Sequence, residues 1–498
     1  MRTRTKTYGF AALALAVLTL AGCGGGSGSS STNTGGGGGG TTPSTNAQWT
    51  WVSGDSAFST TSLAGSYGTL GTPSASNQPA GRIGAAYWTD SSGNFYLFGG
   101  VANSGGNPGF LNDLWRYNPS TNQWTWLSGA NYSNLNQSGN YGTMNVAAST
   151  NVPGGRYYAS FWKDTNGNLY LFGGEGVDKN PVQSSPVYMN DLWKYNIASN
   201  QWTWIGGTNV GANTTVPPVP AVYGTLGTPA GTNQPGVRGE ATSFTDASGN
   251  FWLFGGKGAD STGTFGNLSD MWKYSTTTNQ WTWVAGPNTT NQAAIYGTMG
   301  TAAAANTPSG RYDATSWTDS SGNLWLFGGN QGATTSTSAS FATINDLWKF
   351  TPANGQWTWI GGSNSAGATG VYGTKGTAAS ANIPGARAFA ASWADSSGNL
   401  YLFGGAGGSG QIGTLFNDLW KYSVSTGQWA WIAGTNGTAG VGVYGTKGTS
   451  AATNLPGGRF SSSTWIDGSG NLWLFGGNGF DSAATSTNAL NDLWKYQP

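Results

Sequence analysis

From Gln48 onward the chain alternates short apolar and aromatic runs with polar, glycine-rich turns. Four runs recur in a fixed order. The first follows an Arg and carries Ala, then Trp or Phe. The second resembles Leu169-Tyr170-Leu171-Phe172 and ends in two glycines. The third reads Leu-Trp-Lys-Tyr, and the fourth Trp-x-Trp. Runs this short and this aromatic predict strands rather than helices. Asp-Ser-Ser-Gly-Asn, or a close variant, separates the first two and is hairpin-turn chemistry. Each unit therefore predicts four short antiparallel strands.

The unit is written six times. Its Gly-Gly pair ends at Gly100, Gly174, Gly256, Gly329, Gly405 and Gly477, so the period is 72 to 82 residues. A near-fixed period predicts a repeat architecture, and four-stranded units predict the blades of a β-propeller. The ends are offset. The body opens on a lone fourth run, Gln48 to Val52, and closes on a unit lacking one, which stops after Tyr496. The N-terminal strand is expected to complete the last blade and remove an open sheet edge. The expected fold is all-β: a six-bladed propeller with four antiparallel strands per blade, spanning residues 47–498.

Gly-Gly after an apolar strand, then Asp-Leu-Trp-Lys-Tyr, then Trp, resembles the kelch motif, and the resemblance covers residues 48 to 496. The period exceeds the usual ~50 residues of kelch, the excess lying in two loops. Kelch propellers include copper oxidases similar to galactose oxidase, whose chemistry needs His ligands and a Cys–Tyr crosslink. This sequence has no His and one Cys, Cys23. That chemistry is excluded, as are His-ligated zinc or iron and a Ser-His-Asp triad. No cofactor is expected, and the identity of any bound metal stays open.

The first 46 residues read as an address. Arg2, Arg4 and Lys6 precede an apolar stretch, Phe10 to Leu20, too short for a membrane span and suited to a signal peptide. It ends in Leu20-Ala21-Gly22-Cys23, which resembles a bacterial lipobox. The resemblance implies cleavage of residues 1–22 and acylation of Cys23. Residues 23–46 are a Gly/Ser/Thr-rich tether. The expected location is the bacterial cell envelope, anchored through Cys23 at the outer membrane or cell surface rather than the inner membrane.

Without the leader, 17 basic residues face 19 acidic ones, too few for a phosphate-binding patch, and nucleic acid is not an expected partner. All 26 Trp fall within the strand runs, where they read as packing between blades. Most charges recur in every unit and read as architecture. Arg82, Arg156, Arg238, Arg311, Arg387 and Arg459 open the first strand. Each is expected to reach across Gly-Gly to the Asp that opens the third strand, such as Asp346.

Function is sought where units differ. The loops entering each unit hold 24 to 30 residues, and those between second and third strands 11 to 15. Both are expected on one face, and long loops on a rigid face usually bind. Each entering loop carries Tyr-Gly-Thr, at Tyr67, Tyr141, Tyr223, Tyr296, Tyr372 and Tyr444. These read either as a loop lock or as a ring of contacts for sugar or peptide. Glu240 and Asp313 both sit two residues after the repeated Arg, where other units have Gly84, Tyr158, Phe389 and Ser461. With Glu175, Asp178, Lys257 and Asp260 they outline an acidic region for a cation or an acid/base couple. The expected function is a monomeric binding or scaffold propeller for a glycan, peptide or envelope protein. The alternative is a saccharide-acting lyase, isomerase or hydrolase using carboxylates and Tyr at the channel mouth.

Overall fold

The computed structural model describes residues 47–498, apart from 60–63, 105–106, 133–134, 181–185, 214–218, 333–340, 411–412 and 484–486. The leader, Cys23 and the tether lie outside the described residues.

Among the described residues the body forms six four-stranded antiparallel cores, five of them running outward in sequence order. The first comprises Ala86–Thr89, Phe95–Phe98, Leu114–Asn118 and Gln123–Ser128. The second strand is apolar on both faces because it is covered on both: Phe95, Leu97 and Phe98 are all buried. The turn before it is set by side chain. Asp90 Oδ1 accepts from Ser92 N and Asn94 N, both at 2.9 Å, while Gly93 takes φ 78°. In the last core, Gln48–Ser53 is the outer strand, paired antiparallel with Leu493–Gln497.

Apolar cores lie between successive sheets. Each buries side chains of two neighbours, and one joins Trp465, Trp473 and Phe475 of the sixth sheet to Phe95, Trp115 and Trp124 of the first. Gly-Gly permits this approach: a Cβ on Gly99 would lie 2.7 Å from the Arg156 carbonyl of the next unit. At the inner end, six backbone hydrogen bonds run unit to unit. Tyr158 N donates to Gly84 O, Glu240 N to Tyr158 O, and Asp313 N to Glu240 O. Phe389 N donates to Asp313 O, Ser461 N to Phe389 O, and Gly84 N to Ser461 O, at 2.8–3.2 Å throughout. All six residues are left-handed, with φ 51–64°, although five are not glycine. No single sheet closes on itself among the described residues, and this radial set of antiparallel sheets fits a β-propeller.

The long entering loops do not stand free on one face. Each folds back as a hairpin along the outer strand of the sheet it leads into. Gly71 N donates to Trp126 O at 2.7 Å, and Asn77 Nδ2 to Trp124 O at 3.0 Å. In the last unit Ser450–Ala451 pairs with Trp49 and Thr50 of the N-terminal strand. An outer strand would otherwise present unpaired backbone groups, so much of each loop's length serves as an edge cover.

Candidate functional site

The six Arg are wholly buried, each in a two-toothed pair with the third-strand Asp. Arg311 Nη1 and Nη2 donate to Asp346 Oδ1 and Oδ2 at 2.6 and 2.8 Å, and Nη1 also reaches Gly328 O at 2.9 Å. The other five units repeat the ion pair at 2.6–2.8 Å. Each Asp Oδ2 also accepts the Trp Nε1 two residues on and the loop Tyr hydroxyl. In the second unit, Trp193 Nε1 is at 2.7 Å and Tyr141 OH at 2.6 Å from Asp191 Oδ2.

This geometry supports the loop-lock reading of Tyr67, Tyr141, Tyr223, Tyr296, Tyr372 and Tyr444. All six hydroxyls donate to a blade Asp. Burial first, then the neighbouring Asp191, holds the Tyr141 phenol well above its ordinary pKa, so it stays a donor. These tyrosines fasten the edge-covering hairpins.

Asp178 and Asp260 also leave the candidate set, because backbone amides occupy their carboxylates. Asp178 accepts Asn180 N at 2.7 Å and Gly211 N at 2.8 Å. Asp260 accepts Thr262 N, Thr264 N and Thr290 N at 2.9–3.1 Å. Its burial is outweighed by these bonds, and its pKa falls below the ordinary value. Each ties a loop to the following one.

Glu240, Asp313, Glu175 and Lys257 do come together. Glu240 and Asp313 are neighbours on the hydrogen-bonded ring and line a cavity of about 150 Å³ in the central channel. As whole residues both are partly exposed, yet Glu240 Oε2 and Asp313 Oδ2 are closed off from solvent and have no hydrogen-bond partner. Desolvation pushes Glu240 up to about 7; exposed Lys257 opposes the shift and Glu175 adds to it. Asp313 is raised well above its usual range by desolvation and then by Glu240, against Lys257.

Several residues at the mouth were not singled out from sequence as contacts. Tyr157 OH donates to Glu175 Oε2 at 2.9 Å. The Tyr157 ring packs on Tyr158 at 4.6 Å, and Tyr158 meets Phe389 at 5.7 Å. The Tyr158 and Ser461 hydroxyls share a hydrogen bond of 2.7 Å across the mouth. Gly84 makes this possible, since a Cβ there would lie 2.9 Å from the Tyr158 ring. Tyr188 and Tyr312 stand near the carboxylates and have raised pKa values, through desolvation and then Glu240. The usable signal was a position that differs in every unit, two residues after the Arg.

Residues 89–129 match the Kelch motif. The first unit is similar to a kelch repeat. The match spans the first unit from its inner hairpin to its outer Trp-x-Trp strand. The five further kelch-like units keep the same Arg, Gly-Gly and Asp framework. No curated protein matches the chain.

Proposed function

We propose that this chain is a lipid-anchored envelope protein whose body is a closed six-bladed kelch propeller, working as a binding module through its channel mouth. Closure is supported by the N-terminal strand on Leu493–Gln497 and by the unit-to-unit ring of backbone bonds. Kelch repeats commonly mediate protein–protein binding, which supports a scaffold role. The single observation that carries the site is asymmetry. In a framework repeated six times, one inner position carries Gly, Tyr, Glu, Asp, Phe and Ser in turn, and two of its carboxylate oxygens lack partners. The expected partner is a glycan, peptide or protein of the cell envelope, reached after acylation of Cys23.

A pull-down from cell envelopes with the purified full chain tests this reading. Tyr158→Ala at the mouth should abolish capture, and Ser397→Lys on the opposite-face turn should not. Equal capture by both variants, or loss only with Ser397→Lys, overturns it. Cys23→Ser should move the protein from the membrane fraction to the soluble one; continued membrane fractionation refutes the anchor. A second reading, proton transfer on a saccharide, is favoured by the raised carboxyl pKa values alone. Turnover of envelope glycans that is lost in Glu240→Gln would select it.

A further inference from the structure

We propose that the channel mouth recognises an organic N–H cation, the ammonium or guanidinium end of a partner's side chain, held between Glu240 and Asp313. This deepens the binding reading above and rests on it.

Three observations lead here. First, Asp313 N donates to Glu240 O at 2.9 Å, so the ring itself sets these side chains next to each other. Second, both side chains line the cavity, and each has a carboxylate oxygen shut away from solvent and without a donor. Buried acceptors of this kind are costly unless a donor arrives, and a charged N–H group supplies several at once. Third, no donor among the described residues bonds to these two oxygens. The six framework Arg are engaged with Asp, and Lys257 forms no ion pair within 4.0 Å among the described residues.

The alternatives fit less well. Among the described residues no three carboxylates converge as metal ligands, whereas calcium takes six to eight oxygens. An anion would meet like charge from Glu175, Glu240 and Asp313. The cavity, at about 150 Å³, falls below the ~300 Å³ lower end of small-molecule sites. It suits a head group rather than a whole sugar. Counted around the ring, Tyr158 and Phe389 stand opposite each other, and Tyr158 leans over Gly84 towards Ser461. The half of the mouth left to the carboxylates is flanked by aromatic rings, and ring faces attract cations.

Proton linkage follows. The groups facing the pair are Glu175, Lys257, Tyr157, Tyr158, Tyr188 and Tyr312. The tyrosines stay neutral through the neutral range, so the carboxyls are what titrate. A cation binds their ionised form and should release protons on entry.

The experiment is isothermal titration of the full chain with n-butylammonium and with methylguanidinium, using n-butanol as the neutral control. At least one cation should saturate a single site, with proton release seen across buffers of different ionisation enthalpy. Affinity should drop roughly tenfold or more from pH 8 to pH 5.5, and by a similar factor in Glu240→Gln/Asp313→Asn. The stronger cation tells whether the partner offers Lys or Arg. No saturable binding of either cation, equal binding of n-butanol, or unchanged affinity in the double variant overturns the proposal. The variant's melting temperature, expected at or above wild type, separates lost binding from lost folding. Tyr158-dependent capture of an envelope partner without cation binding would refute the cation and keep the binding module. Cation binding without any such capture would do the reverse.

Discussion

Removing Arg311 and removing Asp346 should not cost the same. Arg311→Met leaves Asp346 buried, but its Oδ2 keeps Tyr296 OH at 2.9 Å and Trp348 Nε1 at 2.7 Å. Oδ1 loses Nη1, while Oδ2 loses Nη2 but keeps those two donors. Breaking a buried pair from one side costs about 3–5 kcal/mol, and the surviving donors place this variant near 3. Asp346→Leu leaves the Arg311 charge facing only the neutral oxygens of Gly328 and Ser309. It also strands the buried Trp348 Nε1, a further ~1–3 kcal/mol. The Asp variant should therefore be the worse by at least about 1 kcal/mol. The double variant Arg311→Met/Asp346→Leu removes both charges and should be milder than Asp346→Leu alone. Urea unfolding followed by Trp fluorescence measures all three, with a constant m-value licensing the comparison. An Arg variant as damaging as the Asp variant, or a double as costly as the two singles added, refutes this account of the network.

Stability should fall as pH rises from about 4.5 to 7, because Glu240 binds its proton more tightly folded than unfolded. Glu240→Gln/Asp313→Asn should flatten this decline and gain on the order of 1–3 kcal/mol at pH 8; parallel urea midpoints at pH 5 and 8 for both proteins would contradict it. Deleting residues 47–53 should expose the Leu493–Gln497 edge and cause self-association, and a monomer of unchanged melting temperature by light scattering and calorimetry would rule this out. Gly84→Val should displace the Tyr158 ring and strain a left-handed backbone at φ 64°, destabilising by about 1–3 kcal/mol, whereas an unchanged urea midpoint would show the ring is not seated there.

Strand runs, turns and the Arg–Asp reach were legible because each rests on short-range or repeated chemistry. The Asp90 turn needs only five residues, and the Arg311–Asp346 reach follows from Gly-Gly lying between them. What the loops do was not legible. Length suggested free binding segments, yet the bonds holding them run to backbone oxygens such as Trp126 O, which no side-chain pattern announces. The Tyr hydroxyls were ambiguous for the same reason, since an amphipathic ring fits a lock or a ligand. Asp178 and Asp260 looked like free charge because their amide donors, Gly211 N and Thr290 N, are about 30 residues away. The mouth was visible only as positions that break the repeat. Their left-handed backbone was hidden, because Tyr158, Glu240, Asp313, Phe389 and Ser461 are not glycine.

That left-handed ring separates two properties that most sites entangle. The bonds joining the units there use main-chain atoms alone, so they persist whatever side chain is attached. Every non-glycine residue at these positions meets the same backbone strain, of order 1–2 kcal/mol, and Asn or Asp tolerates it best. The mouth thus behaves as a socket with five exchangeable inserts, Gly84 being held to glycine by the Tyr158 ring. Under the binding reading proposed above, Tyr158, Glu240, Asp313, Phe389 and Ser461 can be varied while the backbone ring stays fixed, which makes those five codons the natural target of a selection library.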